Sequence, residues 1–596
     1  MSITVCAACA ASLVACQSDI LTDAADGKAV TEYSLVAGID NTRTSVDAGG
    51  KVVWSEGDCI SLTSGGVTAV YTIDPADAGK ATARFTTTSE ITFKKGSDVV
   101  AYYPASICAS GLEWPAEQTF AENAGCPMYV STTVEEGGEA PALTFRNLGS
   151  VLRLNISSTE AASVKSVRIE SSDPLAGAFE ISGDKAVLKG TQKYIVLDCG
   201  EGQAVGTTPK AFNIAVPANA GTKGYPAFNV IIETVDGTFA ETAIADLPKA
   251  LVRNTVYDLK VDVPFFYLGF ANCFVVRPNT TYTMRADLAG NLSVRNTEYT
   301  LKNPASAKLV YETQNSSRAP EPNRIIKDDL SYSKGFATFT TGNEGNAMIA
   351  VYDAAGTALW SWNIWVRKTA PVDYTANGVT YMDRELGGLS ANGQGLAFQY
   401  SRKDALMDVV GATGKRMMWT SNGEKTNTNQ TVALNTTDFT TDFTGISSAF
   451  DFAVKHPGID MVQGTYKSSG WYTNAVRKET YFWSKDKFGI GQVEDLMDPC
   501  PYGYHVPTTS ELQTILSGST GNALKGGGYV PSKTGILTFG GSWSSQWTGM
   551  SYWTCISLTA STYDVFNGQT YYISDGSVKG QNFAGGAKMR VRCVRN

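Results

Sequence analysis

From residue 29 onward the chain is built of short bursts in which apolar and polar positions alternate, punctuated by Gly, Asp, Ser or Pro. The segments Lys51-Val-Val-Trp54, Ala69-Val-Tyr-Thr-Ile73, Ala83-Arg-Phe-Thr-Thr87 and Asp98-Val-Val-Ala-Tyr-Tyr103 are β-branched or aromatic and read as strands. Residues 30–39 form a candidate first strand, and residues 143–157 alternate well. Ala211-Phe-Asn-Ile-Ala-Val216 and Ala227-Phe-Asn-Val-Ile-Ile-Glu233 continue the rhythm. Period-two apolarity buries one face and wets the other, as in antiparallel sandwiches. Further on, Ala271-Asn-Cys-Phe-Val-Val276, Asn346-Ala-Met-Ile-Ala-Val-Tyr352 and Ala358-Leu-Trp-Ser-Trp-Asn-Ile-Trp-Val366 predict another sandwich. Trp360 and Trp362 lie on one face of that last strand, where they either fill a core or stack a sugar ring. Filling the core is the favoured reading.

Composition sets the scale. A chain of 596 residues exceeds one hydrophobic core at ~100–200 residues per domain. Only 18% of residues are charged and 58 are Gly, which disfavours helix bundles and coiled coils. The net charge of -8, with no dense Lys/Arg run, lacks the electrostatic footprint of a nucleic-acid binder. Two histidines, His456 and His505, leave little for imidazole catalysis or His-rich metal sites. The expectation is a mainly β protein that is not an enzyme, with no cofactor and no resident metal.

Residues 3–15 form an apolar run too short to span a bilayer, which needs ~20 residues, and no Lys or Arg precedes it. The run ends Leu13-Val14-Ala15-Cys16, which resembles the lipobox of bacterial lipoproteins. That resemblance implies a signal peptide over 1–16, with Cys16 taking a diacylglycerol and palmitate anchor, and a polar linker over 17–28. The bland alternative is an apolar N-terminal strand that happens to hold Cys16. Of the eleven cysteines, Cys59, Cys108, Cys126, Cys199, Cys273, Cys500, Cys555 and Cys593 then remain. None is in a CxxC spacing, so zinc and thioredoxin-like readings are weak.

Thr42-Arg43-Thr44, Val53-Trp54-Ser55-Glu56-Gly57-Asp58, Tyr103-Pro104, Trp114-Pro115 and Pro127-Met128-Tyr129 fall in the order seen in the fimbrillin family of bacterial surface pilins. Leu143-Thr-Phe-Arg-Asn-Leu148, Asp173-Pro-Leu-Ala-Gly177 and Asn254-Thr-Val-Tyr257 resemble that family's second sandwich. The resemblance implies two β-sandwiches, 29–150 and 151–264, exported as a lipoprotein and assembled by donor-strand exchange with other pilin subunits. It also implies that an Arg- or Lys-specific protease releases the first strand, with Arg43 as the processing site. An ordinary turn residue is an equally weighted reading of Arg43.

Residues 265–370 would be an Ig-like spacer sandwich. Nine of the eleven Trp follow residue 350. Tyr381-Met-Asp-Arg-Glu-Leu-Gly-Gly388, Gly395-Leu-Ala-Phe-Gln-Tyr-Ser-Arg-Lys-Asp404, Asp498-Pro-Cys-Pro-Tyr-Gly-Tyr-His-Val-Pro-Thr508 and Ala587-Lys-Met-Arg-Val-Arg-Cys-Val-Arg595 resemble a C-type-lectin-like domain of the major paralogous surface group. That implies an α+β domain over 371–596. The resemblance also implies a disulfide between Cys500, before a helix, and Cys593, on the closing strand.

Three chemistries fit such a domain. Calcium-dependent sugar binding would use a Glu-Pro-Asn string, but Glu321-Pro322-Asn323 lies in the preceding sandwich and reads as a loop. A formylglycine-generating oxidase needs paired reactive cysteines that the spacing does not offer. Metal-free recognition of glycan or protein by aromatics and amides fits Trp543-Ser-Ser-Gln-Trp547 and Trp471-Tyr-Thr-Asn474, with Trp543, Trp547, Trp471 and Asn474 as ligand-binding candidates. A structural role for each Trp in a loop-rich core is the stronger competing reading. The whole chain therefore reads as a fimbrial tip or accessory adhesin, first lipid-anchored at the outer membrane and then displayed on the fimbrium. Its partners would be other pilins and a surface glycan or protein. The alternative is a surface lipoprotein that stays anchored and captures polysaccharide.

Overall fold

The computed structural model describes residues 33–39, most of 53–406 outside short loops, 453–463, 496–507 and 590–595, together with isolated strands between 418 and 589. The chain is mainly β and divides into two compact units, Met1–Phe266 and Tyr267–Asn596.

In the first unit the strands β1 (Tyr33–Ile39), β2 (Cys59–Ser64), β3 (Val67–Ile73), β4 (Thr82–Thr87), β5 (Asp98–Tyr103), β8 (Met128–Thr133) and β9 (Leu143–Asn147) form one closed sheet, in the order β1-β4-β3-β2-β5-β8-β9. Two two-layer sandwiches were expected here; the first is instead a barrel, because β1 pairs with strands on both of its sides. The predicted strand at 51–54 does not form at Trp54, which lies in a loop. Its indole is 1% exposed and meets Phe85, Tyr103 and Phe145 edge-on, at centroid distances of 4.9, 5.3 and 5.7 Å. Trp54 plugs the barrel, a task its apolar bulk suits whether or not its own backbone is in the sheet.

The short strands β6 (Glu113–Trp114) and β7 (Glu117–Thr119) leave the barrel and join the second core. There, β7 edges a five-stranded sheet with Tyr194–Val205, Ala162–Glu170, Phe228–Thr234 and Phe239–Ile244. A three-stranded sheet holds β10 (Gly149–Ser158) between Lys210–Pro217 and Val256–Val263. Ile107, Trp114 and Cys126 pack into this second cluster with Leu152, Leu154 and Ile156. The boundary expected at residue 150 is therefore not a clean cut between cores.

The run 143–157 reads as one strand in the sequence, yet it forms β9 in the barrel and β10 in the next core. The break falls at Leu148, and Gly149 opens β10. A Cβ on Gly149 would sit 2.2 Å from the Val216 carbonyl oxygen and 2.5 Å from the Trp114 ring, so only Gly permits that approach.

In the second unit, Cys273–Val276, Ala358–Val366, Gly345–Tyr352, Ser306–Thr313, Met418–Thr420 and Lys425–Thr426 make one sheet in that order. Trp360, Trp362 and Trp365 are all buried, in line with the core reading of this strand. The expected boundary at 370 again does not separate two cores: Met348, Trp362 and Ile364 share one cluster with Leu386, Phe398, Cys500 and Cys593. Among the described residues no helix is long and apolar enough to cross a membrane.

Candidate functional site

The site begins with β1. Its sequence, Tyr-Ser-Leu-Val-Ala-Gly-Ile, puts Leu35, Ala37 and Ile39 inside the barrel, while Ser34 and Val36 face outward, with Val36 49% exposed. One edge runs antiparallel to β4, from Tyr33 opposite Thr87 to Gly38 opposite Thr82. The other runs parallel to β9, from Ala37 opposite Leu143 to Ile39 opposite Phe145. The Trp54 indole nitrogen donates to the Ala37 carbonyl at 3.1 Å, tying the plug to this strand. Without β1, the barrel would show two facing strand edges above Phe85, Phe145 and Trp54, the geometry that accepts an added strand.

The loop after Trp54 is held by Asp58. Its carboxylate accepts from the Ser55 amide at 2.7 Å and from the Tyr103 hydroxyl at 2.8 Å. Burial nevertheless pushes the Asp58 carboxyl above its ordinary range, outweighing both hydrogen bonds, which favour the charged form. The folded state thus holds a proton on Asp58 more tightly than the unfolded chain does. Its contribution to stability is complete below the ordinary carboxylate pKa and is lost as pH rises through the elevated folded value. In urea titrations from pH 4 to pH 7, the native chain is expected to lose stability relative to Asp58→Asn, which cannot titrate there. Parallel pH profiles for the two would refute this.

In the second unit, the Cys500 to Val506 loop is tightly held. Cys500 and Cys593 form a disulfide with their Cα atoms 5.9 Å apart. The Asp498 carboxylate accepts from the Cys500 amide at 2.7 Å and the Val506 amide at 2.8 Å, closing the loop on itself. Tyr504 donates to Asp373 at 2.7 Å, and Arg595 reaches the same carboxylate at 2.6 Å. His505 Nε2 lies 3.1 Å from Glu511, which links the loop to the residues that follow.

Two features were missed in the sequence. The first is Asn272, whose side-chain amide donates to the carbonyls of Leu496 and Asp498 at 2.8 Å each and accepts from the Trp360 indole at 2.9 Å. The second is the buried charged run Arg402, Lys403 and Asp404. Lys403 donates to Asp404 at 2.6 Å and also bonds Ser361, and Ser361 donates to Asp404 at 2.8 Å. Burial lowers the Lys403 pKa, and the Asp404 charge opposes that fall. Burial alone would raise Asp404, yet the Lys403 and Arg402 charges hold it below the usual carboxylate range. Arg402 also donates to Gln399 and to the Ile459 carbonyl. These groups are committed to one another inside the core and read as a structural staple. The only hint in the sequence was three consecutive charges inside an otherwise apolar, Gly-rich stretch.

Cys16, Arg43, Trp471, Asn474 and Trp547 lie outside the described residues. Trp543 is placed by its backbone alone, in a two-residue strand opposite Leu537. Glu321, Pro322 and Asn323 form an exposed loop. Among the described residues no three His, Cys, Asp or Glu side chains come together in a way that could hold a metal ion.

No known family profile matches the chain, and no curated protein matches it. Among solved structures, it is similar to a fimbrial protein from Bacteroides ovatus at 10% identity, over 95% of this chain and 99% of that one, with a TM-score of 0.21. It is also similar to the C-terminally truncated tip fimbrial protein Mfa3 from Porphyromonas gingivalis at 11% identity, over 39% of this chain and 95% of that one, with a TM-score of 0.20. A candidate cell adhesion protein from Bacteroides uniformis matches at 19% identity, over 39% of this chain and 93% of that one, with a TM-score of 0.26.

Proposed function

We propose that the chain is a cell-surface adhesin, a tip or accessory subunit of a fimbria that joins its neighbours by donor-strand exchange. One observation supports this most directly: β1 completes a barrel with ladders on both edges while contributing only seven residues and three core side chains. Such a strand is a self-supplied stand-in for one that another subunit can provide. In this reading Cys16 carries the lipid that holds the precursor at the outer membrane, and cleavage after Arg43 frees β1 together with the anchor. Residues 371–596 form the lectin-like head, which binds glycan or protein through Trp471, Asn474, Trp543 and Trp547. The chain binds no nucleic acid, uses no cofactor and catalyses no reaction.

The mature N-terminus tests the central step. Sequencing of protein sheared from the cell surface is expected to begin at Thr44. A chain that still starts at lipidated Cys16, with immunogold label spread evenly over the surface, would overturn strand release and favour an anchored lipoprotein that captures polysaccharide.

A further inference from the structure

The strand that closes the barrel is matched to the plug beneath it. Its inward positions carry a large, a small and a large side chain, Leu35, Ala37 and Ile39, and all three are buried. Leu35 lies opposite Phe85 on β4, and Ile39 lies opposite Phe145 on β9. Between them, Ala37 lies opposite Ala83, which is also buried, so at this level β1 and β4 project only two methyl groups into the barrel. The Trp54 indole takes the room they leave. Its nitrogen reaches the Ala37 carbonyl at 3.1 Å, and its ring meets Phe85 and Phe145, the partners of Leu35 and Ile39. A residue's Cβ lies roughly 3 Å from its own carbonyl oxygen, so an inward side chain longer than a methyl at position 37 is driven against the indole. The outward positions are under no such constraint. Val36 is exposed, and a Cβ on Gly38 would meet only the Thr82 Oγ1 at 3.4 Å and the Leu143 carbonyl oxygen at 3.8 Å, ordinary contact distances.

We propose that the place held by β1 selects its incoming strand by size, and that Trp54 is the residue that makes the selection. The accepted partner is a strand of another subunit in which Ala or Gly stands at the centre, with a Leu- or Ile-sized residue two positions away on each side and any residue between. This selection rests on the donor-strand reading proposed above and names the class of strand that the site takes. It works by exclusion. The ladders to β4 and β9 are backbone bonds that any extended segment can make, so they contribute affinity without identity. The bond from the indole to the central carbonyl is equally indifferent, since every residue carries that carbonyl. What separates one strand from another is the central side chain: a Val, Leu or Phe there has to displace the plug from its contacts with Phe85, Tyr103 and Phe145, or it fails to seat.

The test uses the full chain with a protease recognition sequence inserted after Arg43 and cleaved there, so that β1 is held by non-covalent contacts alone. A fluorescein-labelled, end-capped Tyr-Ser-Leu-Val-Ala-Gly-Ile peptide competes with the seated strand, and its uptake is followed by fluorescence anisotropy. The peptide carrying Gly38→Ala is expected to exchange as well as the native one, and the peptide carrying Ala37→Leu about tenfold less or worse. In a Trp54→Phe chain, whose smaller ring leaves room, the gap between the native and Ala37→Leu peptides should shrink to about threefold or less. A general loss of stability would not produce that change, because both peptides meet the same chain. Equal exchange of the native and Ala37→Leu peptides, or a gap that Trp54→Phe leaves unchanged, would overturn the size selection and leave strand exchange standing. Failure of every peptide to displace β1, the native one included, would overturn strand exchange itself and the selection with it.

Discussion

A chain lacking residues 33–39 is expected to lose the cooperative unfolding transition of its barrel and to regain it when a synthetic Tyr-Ser-Leu-Val-Ala-Gly-Ile peptide is added. Burial of Leu35 and Ile39 contributes about 2–3 kcal/mol each. The ladder to β4 spans six paired positions and that to β9 three, and every ladder group left unmatched over an apolar core adds to the loss. Set against a typical domain stability of ~5–15 kcal/mol, this is enough to open the barrel. The core around Leu152, Leu154 and Ile156 and the whole of the second unit draw nothing from β1, so their transitions should persist. Differential scanning calorimetry with and without peptide would check this. A deletion variant whose barrel melts as the native chain does would remove β1 from any exchange mechanism.

Removing the disulfide is the second large perturbation. Cys500 and Cys593 are 93 residues apart in the chain, and a cross-link of that span contributes about 4–5 kcal/mol in the chain-entropy account. The double variant Cys500→Ser/Cys593→Ser should therefore lower the denaturant midpoint of the second unit and leave that of the barrel untouched. The loop itself should stay partly ordered, since Asp498 still accepts from Cys500 and Val506. Equal midpoints for the variant and the native chain would show that the bond adds no net stability.

The strands were legible wherever alternation reported a single buried face. The predicted segments 69–73, 83–87 and 98–103 are found as strands because each packs one face on its own core, and 358–366 is found as a strand buried on both faces. Trp54 misled for a physical reason: an apolar residue beside two valines looks like a strand, but burial of its ring says nothing about its backbone. The passage of 143–157 between two cores did leave a mark in the sequence: its apolar positions are odd-numbered at Leu143 and Phe145 and even-numbered at Leu148, Leu152, Leu154 and Ile156, a change of phase that the reading as a single strand passes over. The closing of the barrel was hidden, because edge pairing leaves no trace in side-chain type. The bonds of Asn272 and the burial of Arg402, Lys403 and Asp404 depend on residues 40 to 226 positions away, beyond the reach of any local pattern.

The direct passage from β9 into β10 has a mechanical consequence. Tension carried along β9 reaches the second core through one backbone turn at Leu148 and Gly149, with no slack segment to stretch first. On arrival it acts along β10, which lies between two neighbours and runs parallel to one of them over eight matched positions. Load along such a strand shears all of its ladder bonds together rather than peeling them one at a time. The joint is thus suited to carry a sustained pull along the chain.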